Sequence, residues 1–445
     1  MNEPLSIFAA AADAGAATAL RIAGREYTFT ELADLVRARL ATLAPVSGNG
    51  RSHPLVADGS LATLVTMYAL LEARVPALLL HARLTDTERS ALLADADRAG
   101  AVPHADAAAI LYTSGTTGEP RAAVLTRSAL VASAAASAAN LGWQPDDCWL
   151  LCMPLAHVGG LSIVTRCLAA RRATAVEPHF DAGRFPEWIS AHRITLASLV
   201  PTMLARVLDA HPDWRWPPSL RAVLLGGAPA SSALLRRAGE RGIPLLPCYG
   251  LTETCAQVTA ARYETRFSPA DRGVGPPLPG ADVRIVEGHI EVRGPMLMAG
   301  YWNAPSLRPG AWFDTGDVGT LDAAGNLHVR ARRTDLIVTG GENVYPAEVE
   351  RALESFPGIA AAGVFGVPDE AWGQTVAAAL VANGAEPDDA ALQEYFGARL
   401  APHKRPRRIC FVPRLPQTAG GKLDRRSLAG FTLALRPLGK PPAAA

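Results

Sequence analysis

The stretch Leu111–Thr126, LYTSGTTGEPRAAVLT, concentrates groups that could bind phosphate. An apolar lead-in, Ala108–Tyr112, feeds Thr113, Ser114, Gly115, Thr116, Thr117 and Gly118, and a second apolar run follows. Glycine removes the Cβ that blocks close approach, so backbone N–H groups and hydroxyls can converge on phosphate oxygens. Such a loop can cradle a polyphosphate. It lacks the G-x-x-x-x-G-K-[ST] pattern of a Walker A loop, and no helix pattern opens directly after it. Taken alone it reads equally well as a polar hairpin turn, because Ser, Thr and Gly are ordinary turn residues.

Further stretches follow in order: LLGGAPAS (Leu224–Ser231), YGLTET (Tyr249–Thr254), WFDTGDVG (Trp312–Gly319) with RRTDLIVTGGENVYPAEVE (Arg332–Glu350), and TAGGKLDRRSL (Thr418–Leu428). In isolation, Thr252–Glu253 reads as a helix-capping pair, Asp317 as a turn aspartate and Lys422 as a solvated lysine. Together with the first stretch, they closely resemble the signatures of the adenylate-forming superfamily of acyl-CoA synthetases, carrier-protein adenylation domains and luciferases. The resemblance extends from Tyr27 to Leu428.

The resemblance implies that ATP activates a carboxylate: the anion attacks the α-phosphate, pyrophosphate leaves, and CoA then takes the acyl group. Catalysis of such a step is charge neutralisation and positioning. By resemblance, Glu253 holds magnesium and Thr252 contacts the α-phosphate. Tyr249 presents its ring to the adenine, and Gly227, Ala228 and Gly250 complete the nucleotide site with the Thr113–Gly118 loop and Arg121. Asp317 takes both ribose hydroxyls, Arg332 reaches the ribose and the phosphates, and Lys422 neutralises the α-phosphate and the attacking carboxylate. The resemblance also implies a hinge at Arg333–Asp335, dividing a large ATP- and acid-binding part, 1–333, from a small mobile domain, 334–445.

Two departures from the family pattern stand out. Pro120-Arg121 replaces the usual Pro-Lys, so a planar fork stands in place of a point charge. The segment between Leu84 and Ile110 is also short for the superfamily.

For the acid, Met153–Cys167 and Gly226–Gly227 are the expected neighbourhood. PLAHVGGLS, with Arg166 nine positions after His157, resembles the o-succinylbenzoate–CoA ligase branch, which serves menaquinone biosynthesis. That keto-diacid needs a cation in its pocket, and the Arg166 fork suits a carboxylate. His157 is expected to orient the acid, and Gly226 to border it. Bland readings stand beside these: Arg166 snorkelling or structurally paired, and His157 a satisfied loop residue. The alternatives are a broader aryl- or acyl-CoA ligase, an enzyme loading a carrier protein, and a non-catalytic nucleotide-binding relative.

These residues need a scaffold. Short apolar runs, Leu150–Leu155, Ile194–Val200, Leu220–Leu225 and Ile243–Cys248, read as buried strands. Thr202–Ala210 and Ser231–Arg241 have helical spacing between them, which implies an α/β layered fold. From Asp282, alternation around Glu287-Gly288 signals a hairpin and a β-rich segment. Strand-like Gly363–Val367, Thr375–Ala382 and Arg408–Val412, with helical Ala390–Leu400, read as a small α+β domain.

The chain has 445 residues, enough for two or more units. Hydrophobic residues make up 49% and charged residues 19%, which excludes a disordered tail protein. Lys+Arg at 43 against Asp+Glu at 42 gives a net charge of +1, with no field suited to nucleic acid. Apolar stretches stop short of the ~20 residues needed to span a bilayer. The N-terminus does not read as a secretory signal, so the cytoplasm is the expected location. A small-molecule acid, ATP and CoA are the expected partners, with a homo-oligomer left open. The six cysteines lack metal-ligand spacing and read as buried free thiols. The basic run His403–Arg408 reads as a solvated face.

Overall fold

The computed structural model describes residues 3–43, 50–114, 120–228, 230–267, 273–332, 335, 337–339, 342–369, 372–400, 402–418 and 421–438. Gly115, Thr116, Thr117, Gly118 and Arg333 lie outside them, as do the side chains of Ser114 and Arg332.

Strand-length apolar runs, bounded by turn residues, build two large sheets. An eight-stranded sheet has the order Ala256–Ala260, Leu245–Leu251, Ala222–Leu225, Leu196–Leu199, Cys148–Leu151, Ala173–Val176, Thr18–Ile22, Arg25–Thr28. Its inner strands run parallel, and the two edges are antiparallel. A five-stranded sheet places His53–Ala57, Ala77–His81 and Ala107–Ser114 in parallel, followed by antiparallel Pro120–Thr126 and Gly300–Tyr301. One core cluster takes residues from both sheets and from the helices Leu61–Ala73, Arg127–Leu141 and Val158–Ala170. The first of these is buried at every residue from Thr63 to Leu71, as a helix enclosed on all sides must be.

Several expected strands are shorter than their apolar runs. The run at Leu150–Leu155 leaves the sheet after Leu151, because Pro154 has no N–H to give a ladder. There His157 donates its backbone N–H to the Pro154 carbonyl, and the helix Val158–Ala170 begins. Ser231 caps the helix Ser232–Glu240 by accepting from the Leu234 amide.

The hairpin forms at Glu287-Gly288, joining Asp282–Val286 to His289–Arg293 with φ of 50° and 85° at the two turn residues. It belongs to a four-stranded antiparallel sheet that also holds Phe313–Leu321 and Leu327–Arg332.

The C-terminal strands form a separate six-stranded sheet. Ile359–Asp369 and Gly373–Ala382 are its longest hairpin, packed under the helices Pro346–Glu354 and Asp389–Arg399 with their own core. The basic run here is not simply a solvated face. Arg405 donates to the carbonyls of Leu400 and Gly397, groups that a helix end leaves without intrahelical partners, and Lys404 pairs with Glu348 at 2.6 Å. Five cysteines are buried, whereas Cys248 is only partly so and borders a cavity.

Candidate active site

In an open parallel sheet, ligands meet the carboxyl ends of the strands, where the connecting loops diverge. Here the carboxyl ends of strands from both large sheets converge on one cavity of about 940 Å³. Leu151, Val176 and Leu199 border it from one sheet, and Ala57 and His81 from the other. Gly421 and Lys422 of the small domain close it from the far side.

Among the cavity's lining residues is Arg166, only 2% exposed. It sits on the helix Val158–Ala170 with its guanidinium carbon 5.6 Å from the Trp149 ring centroid. Its other neighbours include the neutral thiols of Cys248, Cys167 and Cys255, and its Nε and Nη2 have no hydrogen-bond partner among the described residues. Burial pulls its pKa down to about 10, so it stays a cation at neutral pH. A buried cation without a counter-ion is costly, and a carboxylate entering the cavity would relieve that cost. Ser162, Gln257 and Gly226 line the same cavity.

His157 caps that helix and opens onto the cavity. Enclosure, with the nearby charges of His81 and Lys422 adding to it, pushes its pKa down to about 4, so the imidazole is neutral at physiological pH. The ring of His81 lies 5.2 Å from it.

Glu253 and Thr252 stand on the turn Thr252–Thr254 at the cavity wall. Cys255 and Ala256 follow with φ of 50° and 90°, a conformation that side chains disfavour. The turn folds back so tightly that a Cβ on Gly250 would lie 1.5 Å from the Ala256 carbonyl oxygen, so no other residue fits there. Glu253 accepts a hydrogen bond from the Tyr301 hydroxyl at 2.7 Å.

Thr113 lines the cavity and donates to the Arg121 carbonyl, which ties the strand Ala107–Ser114 to Pro120–Thr126. Lys422 reaches in over Gly227: a Cβ built on that glycine would lie 3.9 Å from Nζ. The lysine's loop is fixed by Thr202, whose hydroxyl donates to the Gly421 carbonyl at 2.9 Å. Asp335, in the expected hinge, pairs with Arg425 three residues beyond Lys422. Gly226, Gly227, Gly250, Thr252, Glu253 and Lys422 therefore share one cavity.

Other expected residues are placed differently. Tyr249 is buried, with its ring in a core cluster, and its hydroxyl donates to Asp317 Oδ2 at 2.7 Å. Asp317 is itself only 3% exposed. Arg332 stands opposite Asp317 in the strand register, which puts the two expected ribose ligands on neighbouring strands. Ala228 is half-buried beside Gly227. Ser114 ends its strand at the mouth of the loop.

Sequence reasoning did not find His81 or Tyr301. His81 could have been noticed as a lone polar residue ending the strand ALLLH. Tyr301 carries no local signal.

A model of the AMP-binding enzyme family matches residues 97–302, and one of the AMP-binding enzyme C-terminal domain matches residues 348–422. The 2-succinylbenzoate–CoA ligase of Geobacillus kaustophilus is 42% identical over 336 residues, covering 72% of this chain and 68% of that protein. The o-succinylbenzoate CoA synthetase of Bacillus subtilis, solved with the acyl-adenylate intermediate, superposes with a TM-score of 0.86 at 32% identity. That superposition covers 96% of this chain and 98% of that one. The same enzyme with ATP and magnesium gives a TM-score of 0.86 at 31% identity, covering 96% and 99% of the two chains. The chain belongs to the AMP-binding enzyme family, the adenylate-forming superfamily that its ordered motifs resemble.

Proposed function

We propose that the chain ligates o-succinylbenzoate to CoA in the cytoplasm, with ATP, through an acyl-adenylate, and releases AMP and pyrophosphate. The observation that carries the choice of acid is Arg166: a charged, buried guanidinium lining the cavity, with its Nε and Nη2 unsatisfied among the described residues. A diacid can spend one carboxylate in the reaction and give the other to Arg166 as counter-ion. The Arg fork, with the neutral His157 lining the same cavity, favours a flat anionic substrate over an aliphatic tail.

In the first half-reaction a carboxylate oxygen attacks the α-phosphorus and the bond to pyrophosphate breaks, with no proton to transfer. Lys422 neutralises the two anions as they meet, and Thr252 donates its hydroxyl to the α-phosphate. Glu253 fits magnesium, a cation that takes one or two carboxylates and completes its shell with phosphate oxygens and water. One of its oxygens is held by Tyr301, and among the described residues Oε2 has no partner. The bound ion supplies neutralisation of the polyphosphate.

In the second half-reaction the CoA thiol gives its proton to solvent, its sulfur attacks the acyl carbon, the acyl–phosphate bond breaks and AMP leaves. We divide the chain into 1–333 and 334–445, with the small domain withdrawing Lys422 between the two steps.

ATP–pyrophosphate exchange that depends on o-succinylbenzoate, and AMP release that further requires CoA, are the expected results. Brisk exchange with benzoate or fatty acids but none with o-succinylbenzoate would defeat the reading. Transfer to a carrier protein but not to CoA would redirect the acceptor.

A further inference from the structure

Arg121 stands where the superfamily usually has lysine, and it does not simply repeat a lysine's part. Its strand, Pro120–Thr126, pairs antiparallel with Gly300–Tyr301 so that Tyr301 lies opposite Ala123. Side chains two residues apart share a face of a strand, so Arg121 and Tyr301 are diagonal neighbours across the ladder. The guanidinium carbon lies 3.4 Å from the Tyr301 ring centroid, in van der Waals contact with the ring face.

The same tyrosine donates its hydroxyl to Glu253 Oε1 at 2.7 Å, and the Met298 amide donates to the Glu253 carbonyl at 2.8 Å. The segment Met298–Tyr301 therefore grips Glu253 twice. It is also tied to the strand leaving the phosphate loop, because Ala299 donates to Val124 and Trp302 to Ala122.

We infer that Arg121 is a positioning residue for the magnesium carboxylate, acting through the Tyr301 ring rather than by touching phosphate. The flat guanidinium covers one ring face and fixes the tilt of the phenol. A cation over the ring also draws electron density from the hydroxyl and makes it a better donor to Glu253. Oε1 is then committed to Tyr301, and Oε2 is the oxygen offered to the metal. A compact ammonium has no plane to stack, which is why the exchange of lysine for arginine matters here.

The inference rests on Glu253 being the magnesium carboxylate. It is tested by calorimetric titration of ATP, with and without magnesium and with no acid present, together with the magnesium half-saturation of pyrophosphate exchange. Arg121→Ala and Tyr301→Phe should each raise that half-saturation about tenfold, the usual cost of losing a partner behind a metal ligand. Both should weaken ATP binding with magnesium far more than without it, and the double variant should be no worse than Tyr301→Phe alone. Arg121→Lys keeps the charge without the stack and should shift in the same direction, which covers the case of an Arg121→Ala that does not fold.

Equal weakening of metal-free ATP binding, or effects that add in the double variant, would overturn the inference and make Arg121 a direct phosphate ligand. Wild-type protein whose ATP binding ignores magnesium would instead sink the assignment of Glu253.

Discussion

Two buried arginines in the large domain are treated in opposite ways. Arg221 is 8% exposed and fully engaged: Nε and Nη2 bond both oxygens of Asp147 at 2.7 and 2.5 Å, and Nη1 and Nη2 take the carbonyls of Leu141 and Gly142. Arg166 is 2% exposed, and among the described residues no partner takes its Nε or Nη2. Their titration follows this difference: despite burial, the Asp147 partnership raises the pKa of Arg221, whereas burial pulls that of Arg166 down to about 10. Arg221 ties the end of the helix Arg127–Leu141 to the starts of the strands Cys148–Leu151 and Ala222–Leu225, and it does not line the cavity that holds Arg166. We propose that the missing counter-ion of Arg166 is the substrate's second carboxylate.

A third cation sharpens the contrast with the largest expected effect. Lys422 is exposed and loop-borne at the cavity wall, and we propose that it serves the adenylation step. Lys422→Ala should lower acid-dependent pyrophosphate exchange about a hundredfold to a thousandfold with an unchanged melting temperature. Ordinary exchange by that variant would remove the lysine from the mechanism.

Arg166→Met should raise KM for o-succinylbenzoate about a hundredfold, because a desolvated ion pair is lost, with KM for ATP nearly unchanged. Equal effects on both substrates would make Arg166 structural, like Arg221.

The comparison turns around when stability is measured. Arg221→Met leaves Asp147 buried and unpaired and should cost about 3–5 kcal/mol in denaturant titration. Arg166→Met removes a buried charge that has no carboxylate partner among the described residues, so it should be neutral or stabilising by about 1 kcal/mol. A clear loss of stability on that change would mean the unliganded arginine already has a partner.

Glu354 in the small domain shows a third way to handle a buried charge, with the smallest effect. Burial raises its pKa from 4.5 to about 7, against the opposing help of the Ala362 amide. A carboxyl raised in the folded state contributes stability below its unfolded value, and loses that contribution as pH climbs toward the folded one. The small domain should therefore weaken between pH 4.5 and about 7, and Glu354→Gln should flatten that slope in melting curves.

Much of this was legible in the chain. Runs such as Leu220–Leu225 and the Glu287-Gly288 turn became the expected strands and hairpin, because local patterning and tertiary burial agree there. Arg166 was singled out through resemblance, and the structure adds what no pattern reveals, namely that its Nε and Nη2 have no hydrogen-bond partner among the described residues. Tyr301 was illegible because its strand has two residues and its partner Glu253 lies 48 residues away in sequence. The burial of Tyr249 against Asp317 is likewise a contact between separate sheets. Arg405 looked solvated because nothing in HKRPRR shows that a helix end would meet it.

The most direct test of the account compares o-succinylbenzoate with its two monoacid analogues, one lacking the ring carboxylate and one the chain carboxylate, in wild type and in Arg166→Met. Wild type should prefer the diacid in kcat/KM by about a hundredfold over whichever monoacid still reacts, and the variant should lose that preference. A wild type indifferent to the second carboxylate, or a variant that keeps the full preference, would contradict the assignment of Arg166 as the anchor of the substrate.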